Sequence, residues 1–273
     1  MCVINSADED DIKMKKIGII GFGRMGSYLY RKINDNPNLK VDFVYELLEN
    51  KTKELDSSIL VNEPMELSRR EVDLVVETAD FRAVKELAAE VLETTDILIL
   101  SASALAEEKL EEKLKNVSDE TGHKFYIPHG AILGMDGFRD AKEVFDEIEI
   151  TTVKPPKNLD FTFQDEWKAD EIKSRTVLYN GSTRRICKLF PRNVNSHAVL
   201  ALSGLGFDKT HSTLVADPNT TLASHHIVAK GGGTLTEIIQ SSPIKGVTGE
   251  FTLSSIYGTV QRILVDEHGL NIC

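Results

Sequence analysis

The stretch Ile17-Gly18-Ile19-Ile20-Gly21-Phe22-Gly23-Arg24-Met25-Gly26 sets an apolar run against a turn whose first, third and sixth residues are glycine. The run reads as a strand over 17–20 and the amphipathic residues that follow as a helix over 25–33, so the glycines fall on a strand-to-helix turn. Gly21 permits the tight turn, Gly23 lets the main chain approach a pyrophosphate, and Gly26 lets helix pack closely on strand. The helix start presents free N–H groups and the positive end of its dipole to phosphate, with Arg24 and Met25 as neighbours of the same site. A purely structural turn is the plain alternative. Twenty residues after Gly26, at the end of the next apolar run, Glu46 is suited to accept hydrogen bonds from the hydroxyls of an adenosine ribose. An acid there repels a 2'-phosphate and favours NAD, while Arg24, Lys51 and Lys53 keep NADP as the alternative cofactor.

Outward from this turn the chain alternates between apolar runs and amphipathic stretches. Strands are expected at 17–20, 41–45, 73–76, 96–100 and 124–127, with helices at 25–33, 82–92 and 107–121 between them. That alternation specifies βαβ units and a parallel sheet. After Pro128 the texture changes to longer β-prone segments at 147–154, 176–179, 211–215, 226–229 and 235–239, with helical stretches at 193–202 and 253–264. The fold class expected is therefore α/β, a Rossmann-type doubly wound parallel sheet followed by a second, α+β substrate domain. Residues 1–13 read as a disordered extension, 14–127 as the dinucleotide-binding domain and 128–249 as the substrate domain. The last helix, within 250–264, is expected to pack back on the first domain.

The 273 residues carry a net charge of −11 at pH 7, which disfavours nucleic acid and anionic membrane surfaces as partners. Residues 154–192 reverse the balance, with nine basic against five acidic side chains, either a solvated face or a place to hold a small anion. Cys2, Cys187 and Cys273 form no C-x-x-C pair, so neither a disulfide framework nor a cysteine zinc site is indicated, and a reducing cytoplasm fits best. No run of 18 apolar residues exists, and the acidic start of the chain argues against a targeting presequence.

More specific strings lie in the second half: Lys154-Pro155-Pro156-Lys157, Phe190-Pro191-Arg192-Asn193-Val194-Asn195, Gly204-Leu205-Gly206-Phe207, and Ala216-Asp217-Pro218 with a histidine eight residues after the aspartate. With Val75-Val76-Glu77, Ser101-Ala102-Ser103-Ala104-Leu105 and Gly130-Ala131-Ile132, they resemble the L-aspartate dehydrogenase family from about Lys15 to Leu264. The resemblance implies NAD- or NADP-dependent oxidation of L-aspartate to iminoaspartate, which feeds quinolinate and NAD biosynthesis or hydrolyses to oxaloacetate and ammonia. It implies a homodimer or homotetramer. It also assigns the catalytic histidine to His225, with His226 the neighbouring alternative, and cofactor contacts to Asn195 and Ala131.

Chemistry gives His225 separate support, because oxidising an amino acid requires a proton acceptor for the nitrogen and imidazole titrates near working pH. A histidine in an exposed turn is the alternative there, and a helix N-cap is the alternative for Asn195. Lys154, Lys157 and Arg192 are candidate partners for the two substrate carboxylates, the alternative for each being an exposed basic side chain. His197 and His226 complete the candidates near the substrate. The family pattern is left at Ala223, where an asparagine is common, at His129, at Ser196-His197, and at 246–252, which lack an Asn-Pro-Lys-Thr-Ser segment. These departures keep two other readings open: a dehydrogenase or imine reductase for a different amino acid, and a non-catalytic NAD-binding protein. His129, His197, His225 and His226 match no metal-ligand spacing, and no metal is expected.

Overall fold

The computed structural model describes residues 14–265. The extension expected over residues 1–13 lies outside the described residues. From the N-terminal side the chain runs β1 (Lys15–Ile20), α1 (Arg24–Asn34), β2 (Leu39–Tyr45), β3 (Leu60–Val61), β4 (Leu74–Glu77), α2 (Phe81–Leu92), β5 (Ile97–Ile99), α3 (Glu108–Thr121) and β6 (Phe125–Tyr126). These six strands form one parallel sheet in the order β3-β2-β1-β4-β5-β6. The order reverses beside β1, and such a switch point opens a crevice at the carboxyl ends of the strands. β3 was not expected: two residues are too few to carry a periodicity.

Strands covered on both faces read as continuous apolar runs, and β4 shows why. Leu74 and Val76 face one apolar layer with Ile17, Ile19, Leu29 and Ile33, whereas Val75 faces the other with Val84 and Ile97. α2 starts on Asp80, whose carboxylate accepts the Arg82 N–H at 2.9 Å, and α3 ends on Gly122 in the left-handed conformation.

The chain continues through α4 (Met135–Asp140), β7 (Glu147–Lys154), β8 (Thr176–Ser182), α5 (Thr183–Leu189), α6 (Asn195–Ser203), β9 (His211–Ala216), β10 (Leu222–Gly231), β11 (Thr234–Lys245), β12 (Thr248–Gly249) and α7 (Glu250–Leu264). The second sheet has the order β12-β11-β10-β7-β9-β8, antiparallel except for β7 beside β9. Helices α4 and α5 are additional to those expected. β10 begins at Leu222, earlier than the 226–229 read from sequence, because Leu222 and Ala223 are held in register by β11, and Ser224 and His225 by β11 on one side and β7 on the other.

One apolar layer continues from the first sheet through the 3-10 segment Ala102–Ala106 to α5, α6 and the inner face of the second sheet, so the two halves share a core. α7 returns to the first sheet, where Ile256 and Val260 join Ile17, Leu29 and Ile33. Among the described residues no helix is long and apolar enough to cross a membrane.

Candidate active site

A cleft of about 1050 Å³ lies between the halves, lined by the glycine turn, the ends of β2 and β4, the start of α6, and β7, β10 and β11. At its first-sheet end Gly21 has φ near 90°, and a Cβ there would stand 2.7 Å from the main chain of Ala79. A Cβ on Gly26 would meet the Gly21 carbonyl at 2.1 Å, whereas one on Gly23 would meet nothing within 4 Å. The outer glycines are therefore demanded by packing, and Gly23 leaves bare main chain on the cleft wall. Met25 and Glu46 line the same end.

Glu46 accepts from the N–H groups of Phe22 at 2.8 Å and Leu48 at 3.0 Å, and Lys51 Nζ stands 3.1 Å away. Burial pushes its carboxyl upward, but these donors outweigh burial and hold it below the usual range, so it is a carboxylate. A carboxylate beside a glycine turn with open space over Gly23 fits the ribose and pyrophosphate of a dinucleotide. Arg24 lines the cleft too, yet its guanidinium donates to the carbonyls of Lys245 (3.1 Å) and Thr248 (2.8 Å) and pairs with Glu250. It links the turn to the β11–α7 segment and is not an unengaged phosphate ligand.

The other end is built by strand alternation. Ile148, Ile150, Thr152 and Lys154 share the buried face of β7, so its apolar stripe turns polar in the last residues. On β10 the buried stripe is Ala223, His225, Ile227 and Ala229, and His225 is paired in register with Thr152. The two polar ends meet. His225 is 5% exposed, not in an exposed turn, and its Nδ1 lies 2.8 Å from Thr152 Oγ1. Burial first, and the Lys154 ammonium second, push its pKa down to about 3, so it is neutral.

Lys154 is 5% exposed and lines the cleft, and its Nζ donates to main-chain carbonyls, Asn193 at 3.0 Å and Val247 at 3.5 Å. Burial lowers its pKa to about 8. Those partners are carbonyls, so no carboxylate among them neutralises the ammonium. Arg192 also lines the cleft but pairs with Asp160 at 2.7 Å. Lys157 is exposed and does not reach it.

Two expected substrate residues are corrected. His226, the neighbour of His225 on an alternating strand, points to the opposite face and pairs with Glu237 at 2.6 Å. His197 is wholly buried behind the cleft wall, with Nε2 2.7 Å from Thr152 Oγ1 and Nδ1 2.9 Å from Ser212 Oγ.

Asn195 and Ala131 line the cleft, and Asn195 is the first residue of α6 instead of its cap, its Oδ1 accepting the Ser103 N–H at 3.1 Å. Ala223 and His129 complete this wall. Sequence reasoning missed Thr152 as a bridge, though the polar end of an alternating stripe was the available signal. It also missed the role of Glu77, which is 1% exposed and accepts from Ser101 N and Oγ at 2.9 and 3.0 Å, tying β4 to the segment after β5. Burial raises its pKa to about 7 despite these donors. Among the described residues no cluster of three His, Cys, Asp or Glu side chains suited to a metal occurs.

Residues 136–263 match the family model described as aspartate dehydrogenase, C-terminal, and residues 21–128 match that described as homoserine dehydrogenase, NAD binding domain. An L-aspartate dehydrogenase of Nitrosopumilus maritimus is 36% identical, over 93% of this chain and 98% of the relative. One from Methanocaldococcus jannaschii is 32% identical over 85% and 90%. The crystal structure of aspartate dehydrogenase from Thermotoga maritima superposes with a TM-score of 0.72 at 28% identity, covering 94% of this chain and 99% of that one. The C-terminal model, a relative matched over nearly its whole length and the superposed crystal structure agree: the chain belongs to the L-aspartate dehydrogenase family.

Proposed function

We propose that the protein oxidises L-aspartate to iminoaspartate, with NAD as the preferred cofactor and His225 as the proton acceptor. The observation that carries this reading is a pair lining one cleft: a buried ammonium on Lys154 and a neutral imidazole on His225. Family membership supports the substrate, since a dicarboxylate needs a desolvated cation and Lys154 is one.

A bound nicotinamide would supply the hydride acceptor for the α-hydrogen. Lys154 pairs with a substrate carboxylate, and that pairing offsets the smaller, electrostatic part of the depression of His225, burial being the larger part. His225 Nε2 takes a proton from the substrate nitrogen, whose lone pair forms the C=N bond as the C–H bond breaks. Gly23 main chain and Glu46 would hold the pyrophosphate and adenosine ribose, and Asn195 and Ala131 would contact the cofactor from the other wall of the cleft. Glu46 favours NAD, because a 2'-phosphate would face a carboxylate while Arg24 is committed to Glu250 and two carbonyls.

A division of the chain near residue 127, with α7 belonging to the first unit, and a homodimer or homotetramer complete the proposal. Leu235 and Ile239 on β11 and Val177 on β8 leave 65%, 68% and 54% of their surface exposed on the outer face of the second sheet, an area suited to a second copy. The changed wall at Ala223 and His129 favours one further reading, a different amino acid as substrate.

A panel of amino acids assayed with NAD decides between them. Aspartate is expected to give NADH fastest, and a better substrate elsewhere in the panel overturns the assignment. His225→Ala is expected to lose about 10²- to 10⁴-fold in kcat, the range for a general base. Turnover within a few-fold of the parent would remove His225 from the reaction.

A further inference from the structure

Behind His225 runs a row of hydrogen bonds that ends on a carbonyl. Thr183 Oγ1 lies 3.0 Å from the Thr210 carbonyl oxygen and 2.7 Å from Ser212 Oγ. Ser212 Oγ is 2.9 Å from His197 Nδ1, His197 Nε2 is 2.7 Å from Thr152 Oγ1, and Thr152 Oγ1 is 2.8 Å from His225 Nδ1. Thr152, Thr183, His197 and Ser212 are each 0% exposed. The residues come from β7, α5, α6, β9 and β10, joined across the inner face of the second sheet.

Each member carries a fixed number of protons, so the carbonyl sets the direction of every bond. A carbonyl only accepts. The single hydroxyl proton of Thr183 therefore goes to Thr210, and the contact with Ser212 must use the Ser212 proton. Ser212, having donated, accepts from His197, which places the His197 proton on Nδ1 and leaves Nε2 as an acceptor. Thr152 donates to that nitrogen and has only lone pairs left for His225, whose proton must then lie on Nδ1. Burial first, and then the charge of Lys154, keeps His197 neutral, as this direction requires.

Resting on the reading of His225 as proton acceptor, we propose that His197 is a positioning residue: with Thr152, Ser212 and Thr183 it fixes His225 as the Nδ1–H tautomer, with Nε2 unprotonated toward the cleft. His225 Nε2 has no hydrogen-bond partner among the described residues, and the imidazole lines the cleft. The row orients the base and does not drain it, because a carbonyl cannot pass a proton on. A proton gained at Nε2 leaves by the cleft.

The test is nitrogen NMR of the whole protein labelled with ¹⁵N-histidine, with the His225 signals identified by their loss in His225→Asn. The parent protein is expected to show a protonated Nδ1 and an unprotonated Nε2 on His225, and the same on His197. Thr183→Val keeps the shape and removes the hydroxyl, freeing Ser212 to donate to His197 and reverse the row. Its His225 is expected to gain Nε2–H character, with kcat falling about tenfold and the KM for NAD unchanged, since a base in the wrong tautomer is a poor one. Thr183→Ser should restore spectrum and rate together.

Nε2–H on His225 in the parent, or an unaltered His225 spectrum in Thr183→Val, overturns the proposal. The parent spectrum needs no variant to fold. If the tautomer is as stated but His225→Ala still turns over, the proton-acceptor reading fails alone. If His225→Ala is inactive and the parent carries Nε2–H, the tautomer proposal fails alone.

Discussion

Glu46 accepts the main-chain N–H of Phe22 at 2.8 Å, so the acid that ends β2 is bonded to the glycine turn that ends β1. Cofactor choice and turn geometry are therefore coupled through one carboxylate. Glu46→Gln keeps an acceptor for the turn and deletes the charge. The expected outcome is about tenfold weaker NAD binding with a relative gain for NADP, read by titrating each nucleotide against protein fluorescence. Equal loss for both would reduce Glu46 to a brace for the turn.

Two glycines three residues apart should fail in different ways. An alanine Cβ at position 26 would stand 2.1 Å from the Gly21 carbonyl, and one at position 23 meets nothing. Gly26→Ala is expected to lose about 1–3 kcal/mol of stability in urea unfolding, the usual cost of overpacking. Gly23→Ala should stay within about 0.5 kcal/mol of the parent and lose NAD affinity instead, because its methyl intrudes on the cleft. Normal NAD binding by Gly23→Ala would place the phosphates elsewhere.

The ammonium of Lys154 gives the site an alkaline limit. Its pKa is lowered to about 8 by burial, so the cation is present below that value and lost above it. Competitive inhibition by succinate, which has two carboxylates and no amine to titrate, should be constant below pH 7 and weaken about tenfold per pH unit well above 8. Lys154→Met should bind succinate weakly at every pH. A flat inhibition profile to pH 10 in the parent protein would assign the carboxylates to another group.

Arg24 joins the halves through Lys245, Thr248 and Glu250, and is expected to take no part in cofactor choice. Arg24→Ala removes two charge-assisted bonds to carbonyls and the pair with Glu250. Its partial exposure discounts the ion pair, and a loss of about 1–2 kcal/mol in thermal or urea unfolding is expected. The ratio of NAD to NADP affinity should not move. A selective loss of NADP would return Arg24 to the phosphate site.

What could be read from the chain depended on how local each signal was. The glycine turn, Glu46 and the alternation of strands and helices carry their meaning within a few residues or one βαβ unit. β3 has two residues and α5 has seven, too short for periodicity to speak. His225 was reached through likeness to a family, and its chemistry became visible only when β10 and β7 were in register. The same register separates it from His226, whose nearness in sequence means the opposite face of a strand. His197, Ser212 and Thr183 are spread across α6, β9 and α5, and nothing along the chain marks them as neighbours. Lys154 shows the reverse case, since the polar end of the β7 stripe was legible in the alternation Ile148, Ile150, Thr152, Lys154.

The seating of Ile256 and Val260 against Ile17, Leu29 and Ile33 separates the order of synthesis from the order of sealing. A nascent polypeptide that has already released β6 from the ribosome has laid down every strand of its nucleotide-binding lobe, yet one flank still waits for α7. The earliest sheet made is the latest to be closed, and until then part of its oily flank lies open to water.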